Sequence, residues 1–364
     1  MVTRRIFLRG AAAMSCSAVL PPNASPASAE TPVLFGAARI GGQDGGVTWC
    51  AGAAKPFSLP ARGHGLARLA TRGKIIITGR RPGLFAALVD TTDPAGPSKV
   101  VQSAPGCRFS GHSAVEPAGD HFVTSEFEAE TVRGVLVLRR ADDGSECGRF
   151  DPEGTEPHDM LFTANRLVAA LGGLIKDGGV AGPAFNPDGI RSSVVEIDAQ
   201  SGKIVARHVL AAELASLSLR HLARAPDGQS VVVGMQDQDL SETRPLVAVI
   251  KIGGDISPLP MPDAKLCDFR GYVGSVAVDS SGEFAAATSP RGSVMGLWSL
   301  SKRAWVGGLG IPDVCGLVAG NEPREFWASS GLGEVINVSA APLGATVKSR
   351  WSTSIGFDNH LLRV

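Results

Sequence analysis

The chain has 364 residues, of which 35 are basic and 35 acidic. That balance removes the cationic field that nucleic-acid binding or adsorption to an anionic membrane needs, and past the first thirty residues no stretch is long enough for a membrane-spanning helix. With 45 Gly and 24 Pro spread among short β-rich runs, and few segments of helical period, the composition favours one all-β unit over two or three domains.

The N-terminus reads as an export address. Arg4 and Arg5 are paired, Phe7 and Leu8 follow, and the apolar run GAAAMSCSAVL leads to Ala27, Ser28 and Ala29, a small-x-small cleavage pattern. Residues 1–29 are therefore expected to be a twin-arginine signal peptide and residues 30–364 the mature periplasmic domain. Its loss leaves Cys50, Cys107, Cys147, Cys267 and Cys315, an odd number with no CxxC pair. At least one thiol then stays outside any intramolecular disulfide set, and a zinc ribbon or thioredoxin-type motif is excluded.

A repeat runs through the remainder. It joins a ring position, an alternating strand, a turn with Gly or Asp, and a second strand. Copies read GHGLARLATRGKIIITG from Gly63, GHSAVEPAGDHFVTSE from Gly111, PHDMLFTANRLVAALGG from Pro157 and RHLARAPDGQSVVVGM from Arg220. They continue as GSVAVDSSGEFAAATSP from Gly274, CGLVAGNEPREFWASSG from Cys315 and NHLLRV at 359–364. Further strands follow each, among them LFAALVD at 84–90, GVLVLRR at 134–140, SSVVEIDA at 192–199, PLVAVIKI at 245–252 and VMGLWSL at 294–300. Seven copies predict a seven-bladed β-propeller. The last stops after one strand, so VLFGAARI at 33–40, GVTWCAG at 46–52 and KPFSLPA at 55–61 are expected to complete its blade and pair the two chain ends, protecting the edges of an open array. The Gly- and Pro-rich stretch 172–191 lengthens one interval and is expected to project as a loop over one face.

The ring positions are His64, His112, His158, His221, Ser275, Cys315 and His360. Five of the protein's seven histidines fall on them. The first strand of each propeller blade lines the channel, so these imidazoles converge on the axis at one depth. Protonated they repel; neutral they present lone pairs with few donors. A transition metal, Cu, Fe or Zn, resolves this, with Cys315 as a thiolate biasing the site toward softer metals. A bound anion, bridging water, or capping of neighbouring backbone are the alternatives. Arg62, Arg108, Glu156, Asp159, Arg220 and Arg291 flank the ring as candidate ligand-binding residues, Glu156 or Asp159 being suited to fix a metal-bound imidazole's tautomer. Glu126 is a further candidate at a strand end. His121, after a turn, and His208, in an alternating strand, are expected at the surface. No GxSxG, P-loop, HExxH or dinucleotide fingerprint in strand–helix context is present.

The segments LPARGHGLA (59–67), GHS (111–113), TSEFEAETVRGVLVL (124–138), EPHDM (156–160), LSLRHLA (217–223), YVGSVAVDSSGEFAAATSPRG (272–292) and DVCGL (313–317) resemble the domain-of-unknown-function 1513 family, over essentially the whole mature chain. The resemblance implies an exported bacterial β-propeller in a setting of periplasmic metal handling, with imelysin-like iron-uptake proteins as partners. The sequence departs from the family pattern at 165–191, where ALGGLIKDGG replaces an NGG-type segment. Three functions follow as expectations: a monomeric metal-binding propeller in iron or copper handling, a metal-dependent oxidoreductase or lactonase-like hydrolase, and a scaffold whose 172–191 loop recognises a protein partner.

Overall fold

The repeat resolves into seven antiparallel sheets of four strands, seen in a computed structural model that describes residues 31–163, 165–175 and 189–364. The proposed leader and residues 176–188 of the insertion lie outside the described residues. Among those described, no helix is long and apolar enough to cross a membrane.

The inner strands of the blades are Gly63–Leu69, Cys107–Val115, Pro157–Thr163, Ser218–Arg224, Ser275–Val278, Val314–Ala319 and Gly356–Arg363. Each touches the next, and the last touches the first, so they form a closed ring around the channel. The second strands are buried on both faces, which is why they read as apolar runs: Ile75, Ile76 and Ile77 are fully buried, as are Val231, Val232 and Val233. The outermost strands alternate, as in Gly344–Ser352, because only one face meets the core. Turns between inner and second strands use the expected chemistry. Asp227 accepts from the backbone N–H groups of Gln229 and Ser230, while Gly228 takes the left-handed conformation.

The ring closes as the sequence predicts. Leu34–Ile40 pairs antiparallel with Gly356–Arg363, and Gln43–Cys50 and Ala53–Ser58 complete that sheet. Trp49 packs edge-on against Trp351 at 5.0 Å and tilted against Trp327 at 5.5 Å, tying the composite blade to the one before it. The first and last described strands are thus held together by a bulged ladder, and their blade to its neighbour by aromatic packing.

One feature of the inner strands recurs. The pairing register to the second strand shifts between Gly63 and Leu66, Phe109 and Ser113, Pro157 and Met160, Leu219 and His221, and Val314 and Leu317. It shifts again opposite the segment from Phe357 to Leu361. A β-bulge therefore sits at six of the seven ring positions; the strand beginning at Ser275 pairs without one. A bulge re-aims the side chain it carries, and here it takes His64, His112, His158 and His360 out of the ladder. At His112 the backbone groups lost to the ladder are recovered by Ser125, whose hydroxyl accepts from the His112 N–H and donates to its carbonyl.

Candidate metal centre

All five ring histidines come together. Going round the channel, ring centroids are separated by 5.0 Å for His64 and His112, 4.8 Å for His112 and His158, 4.9 Å for His158 and His221, 5.0 Å for His221 and His360, and 4.7 Å for His360 and His64. The circuit skips two blades. Ser275 and Cys315 are small enough to let His221 and His360 meet across them. Glycine supplies further room: Gly111 holds φ +114°, and a Cβ there would lie 2.9 Å from His64 Cδ2, while one on Gly65 would lie 2.5 Å from the Gly111 carbonyl oxygen.

The five imidazoles are not equivalent. Asp358 Oδ1 lies 3.3 Å from His64 Nδ1, and Asp159 Oδ1 lies 3.3 Å from His112 Nδ1. A nitrogen that faces a carboxylate carries the proton, so Nε2 of each is left as a lone pair. His158 is the reverse case: Arg220 Nη2 donates to its Nδ1 at 3.2 Å. His112, His158 and His360 each bury an Nε2 that no protein group satisfies, and His221 buries both nitrogens in that state. Burial pushes the His64 imidazole down to about 4, with His112 and Arg80 adding to the effect against the opposing pull of Asp358. It holds His158, His221 and His360 well below the usual histidine range, so these rings are neutral at neutral pH.

Two groups of three have ligand atoms all within 4.8 Å of one another: His64, His112 and His360, and His112, His158 and His221. An equilateral triangle of that side has its centre about 2.8 Å from each corner, so an inward movement of about 0.7 Å per ring reaches a metal–nitrogen bond of about 2.1 Å. The first group fits a cation better, because its two carboxylate-backed rings already hold the required tautomer. An all-imidazole set of three suits Cu, Zn or Fe and leaves a coordination position open.

The charged residues divide by side. On the strand-start side of the ring, Glu156 Oε1 accepts from Arg81 and Arg220 at 2.6 and 2.7 Å, and its Oε2 accepts from the Leu174 N–H. Asp358 similarly binds Arg62 at 2.6 Å and meets Arg80 at 3.5 Å. Burial alone would raise Asp358, but its hydrogen bond to His64 and the Arg62 charge hold it well below the ordinary carboxylate range. Four guanidinium groups thus share two carboxylates. On the other side of the ring a cavity of about 310 Å³ runs down the channel, lined by His112, Asp159, His221, Ser275, Leu317 and His360 among others.

Several sequence expectations need correction. Cys315 occupies its ring position, but its Sγ turns to backbone carbonyl oxygens, 3.1 Å from that of Asp358 and 3.5 Å from that of Phe357, and burial pushes the thiol up to about 12. It is a packed thiol and not a member of either group of three. Glu156 lies 3.9 Å from His158 Nδ1 and spends its oxygens on Arg81, Arg220 and Leu174, so Arg220 is the group that sets this tautomer. Arg108 turns back to the Cys107 carbonyl, and Arg291 stacks over Tyr272 at 4.7 Å, so neither reaches an imidazole. Glu126 is fully buried in a structural knot, accepting from Arg139, Thr124 and the Ala104 N–H. His208 is buried rather than superficial, its Nε2 2.8 Å from Glu196 Oε1; His121 sits half-exposed against Glu116.

Asp358, Arg80 and Arg81 escaped the sequence reading. A signal existed for Asp358: an acid precedes a ring position by two residues at Glu156, Asp313 and Asp358 alike.

Fold and site together define a seven-bladed β-propeller with a histidine ring across its channel. The chain belongs to the family described as "Protein of unknown function (DUF1513)", whose profile matches residues 57–364. No curated protein matches the sequence. Among solved structures it is similar to hydrazine synthase of Kuenenia stuttgartiensis, with a TM-score of 0.62 and 14% identity over 82% of this chain and 90% of that one. It is also similar to a chain of a mitotic checkpoint complex, with a TM-score of 0.59 and 10% identity over 96% of this chain and 89% of that one. At these identities the likeness is one of fold.

Proposed function

We propose that this propeller is a periplasmic metal-binding protein, exported by the twin-arginine route, that holds one Cu, Fe or Zn ion through His64, His112 and His360 and serves iron or copper handling. The observation that carries this reading is the convergence of His64, His112 and His360, with carboxylates behind His64 and His112 and unsatisfied buried Nε2 atoms on His112 and His360. A neutral imidazole whose Nδ1–H is fixed by Asp358 or Asp159 offers its lone pair at Nε2 without reorganisation. The residues missing from the expected ligand set, chiefly Cys315, remove the bias toward soft metals and leave a nitrogen site. Twin-arginine export suits a protein that acquires its metal before crossing the membrane, and imelysin-like iron-uptake proteins are the partners this role implies.

The test is elemental analysis of protein prepared from the periplasm of its own cells, with loss of the ion in a His64→Ala, His112→Ala double variant. A metal-free wild type that also refuses Cu, Zn and Fe in vitro would overturn the proposal.

A second reading is favoured by the cavity of about 310 Å³ against the ring. It gives a small substrate access to the open coordination position, as a metal-dependent oxidoreductase or lactonase-like hydrolase requires. Turnover of a lactone or of a redox dye by metal-loaded protein, abolished by His112→Ala, separates it from simple metal binding.

A further inference from the structure

The geometry points to His158 as a hydrogen-bond donor to a small anion that shares the ring with the metal, and not as a metal ligand. This rests on the metal reading above. Arginine has only donors, so the 3.2 Å contact from Arg220 Nη2 makes His158 Nδ1 an acceptor. In a neutral imidazole the proton then resides on Nε2. Neither nitrogen is free for a metal: one lone pair is engaged by a guanidinium and the other position carries hydrogen.

That Nε2–H is buried and finds no acceptor in the protein. Leaving a buried donor unsatisfied forfeits its hydration with nothing in return. His112 Nε2 cannot accept from it when committed to a cation, and His221, the other neighbour, makes no hydrogen bond through either nitrogen. The remaining partner that satisfies both is an anion lying between the metal and His158. The surrounding charge agrees. Arg81 and Arg220 both converge on Glu156 Oε1, as Arg62 and Arg80 do on Asp358; what sets His158 apart is that a guanidinium faces its Nδ1, whereas carboxylates face those of His64 and His112. Arg220 Nε is itself buried without an acceptor. The ring is therefore polarised: His64 and His112, whose Nδ1 faces Asp358 and Asp159, turn Nε2 lone pairs to its centre, and His158, whose Nδ1 accepts from Arg220, turns a donor there. A small oxygen anion such as hydroxide or a carboxylate has the charge this position calls for, between His158 and His64, whose centroids stand 6.4 Å apart across the ring.

Selective ¹⁵N-histidine labelling is legible with seven histidines, assigned by single substitutions. Metal-free protein is expected to show His158 protonated at Nε2 and His64 at Nδ1; a proton on His158 Nδ1 overturns the proposal. In Cu(II)-loaded protein titrated with azide, His158→Leu is expected to keep copper affinity within about threefold and to weaken azide by about tenfold, the loss of one hydrogen bond to a charged group. His158→Gln, which retains an N–H donor, is expected to restore azide binding. If His158→Leu loses copper as fully as His64→Ala does, His158 is a ligand and this inference fails while the metal reading stands. If wild-type protein takes up no Cu, Zn or Fe, the metal reading itself fails and takes the shared anion with it.

Discussion

Asp358, on the last strand of the chain, lies 3.3 Å from Nδ1 of His64, on the first strand of the first complete blade, and the two are brought together only because the chain ends share a sheet. Closing the ring and orienting the imidazole are therefore one event. Asp358→Ala is expected to weaken metal binding about 10–100-fold, the usual effect of removing an outer partner of a metal-binding histidine. Competition against a chromophoric chelator measures this. An unchanged affinity would show that His64 needs no carboxylate behind it.

Glu156 binds two guanidinium groups in a buried setting. Removing one partner of such a network leaves charge stranded in low dielectric, so Glu156→Ala is expected to lower folding stability by about 3–5 kcal/mol. Urea denaturation followed by tryptophan fluorescence reads it. A loss below about 1 kcal/mol would mean that water reaches the arginines freely.

Acid should destabilise the metal-free protein through the ring. Four of its histidines have folded-state values below the ordinary 6.5, His64 at about 4, so the unfolded chain binds more protons as pH falls through this window. Stability is complete above about pH 6.5 and is lost as pH drops toward 4. Thermal midpoints taken across that range should fall, and less steeply in a His64→Gln, His221→Gln variant.

Gly111 is held at φ +114° beside the His64 ring. Gly111→Ala puts a Cβ into both a strained backbone region and the imidazole edge, with an expected cost of about 1–3 kcal/mol. The His64 imidazole resonances should shift along with the denaturation midpoint. Unchanged resonances would indicate that the bulge has room to relax.

The cysteines give an independent check on the site. Cys147 and Cys267 are exposed, whereas Cys107 and Cys315 are buried, with the Cys315 thiol raised to about 12. A thiol reagent is expected to modify Cys147 and Cys267 in native protein and to reach Cys315 only on unfolding. Cys315→Ser should leave metal affinity within about twofold. Rapid labelling of Cys315, or loss of metal on its substitution, would restore it to the candidate ligand set.

The blades, their number, the closure by the N-terminal strands and the common depth of the histidines are legible in the residues alone. The physical reason is local: each second strand is buried on both faces and so is an apolar run, as at Ile75–Ile77 and Val231–Val233, each turn carries its own Asp or Gly, and equivalent strand starts in a cyclic array must converge on the axis. What the tertiary structure decided is which way each ring residue faces and what stands behind it. The bulges arise from register between paired strands, and so turn His112 toward the axis while the Cys315 sulfur, in an equivalent place, turns to carbonyl oxygens. The tautomers are set by Asp358, Asp159 and Arg220, each acting across blades, Asp358 and Arg220 on rings 294 and 62 residues away in the chain. No periodicity encodes a contact between strands so remote; only the closed ring brings an acid behind one histidine and a guanidinium behind another, and that difference decides which nitrogen of each ring carries the proton.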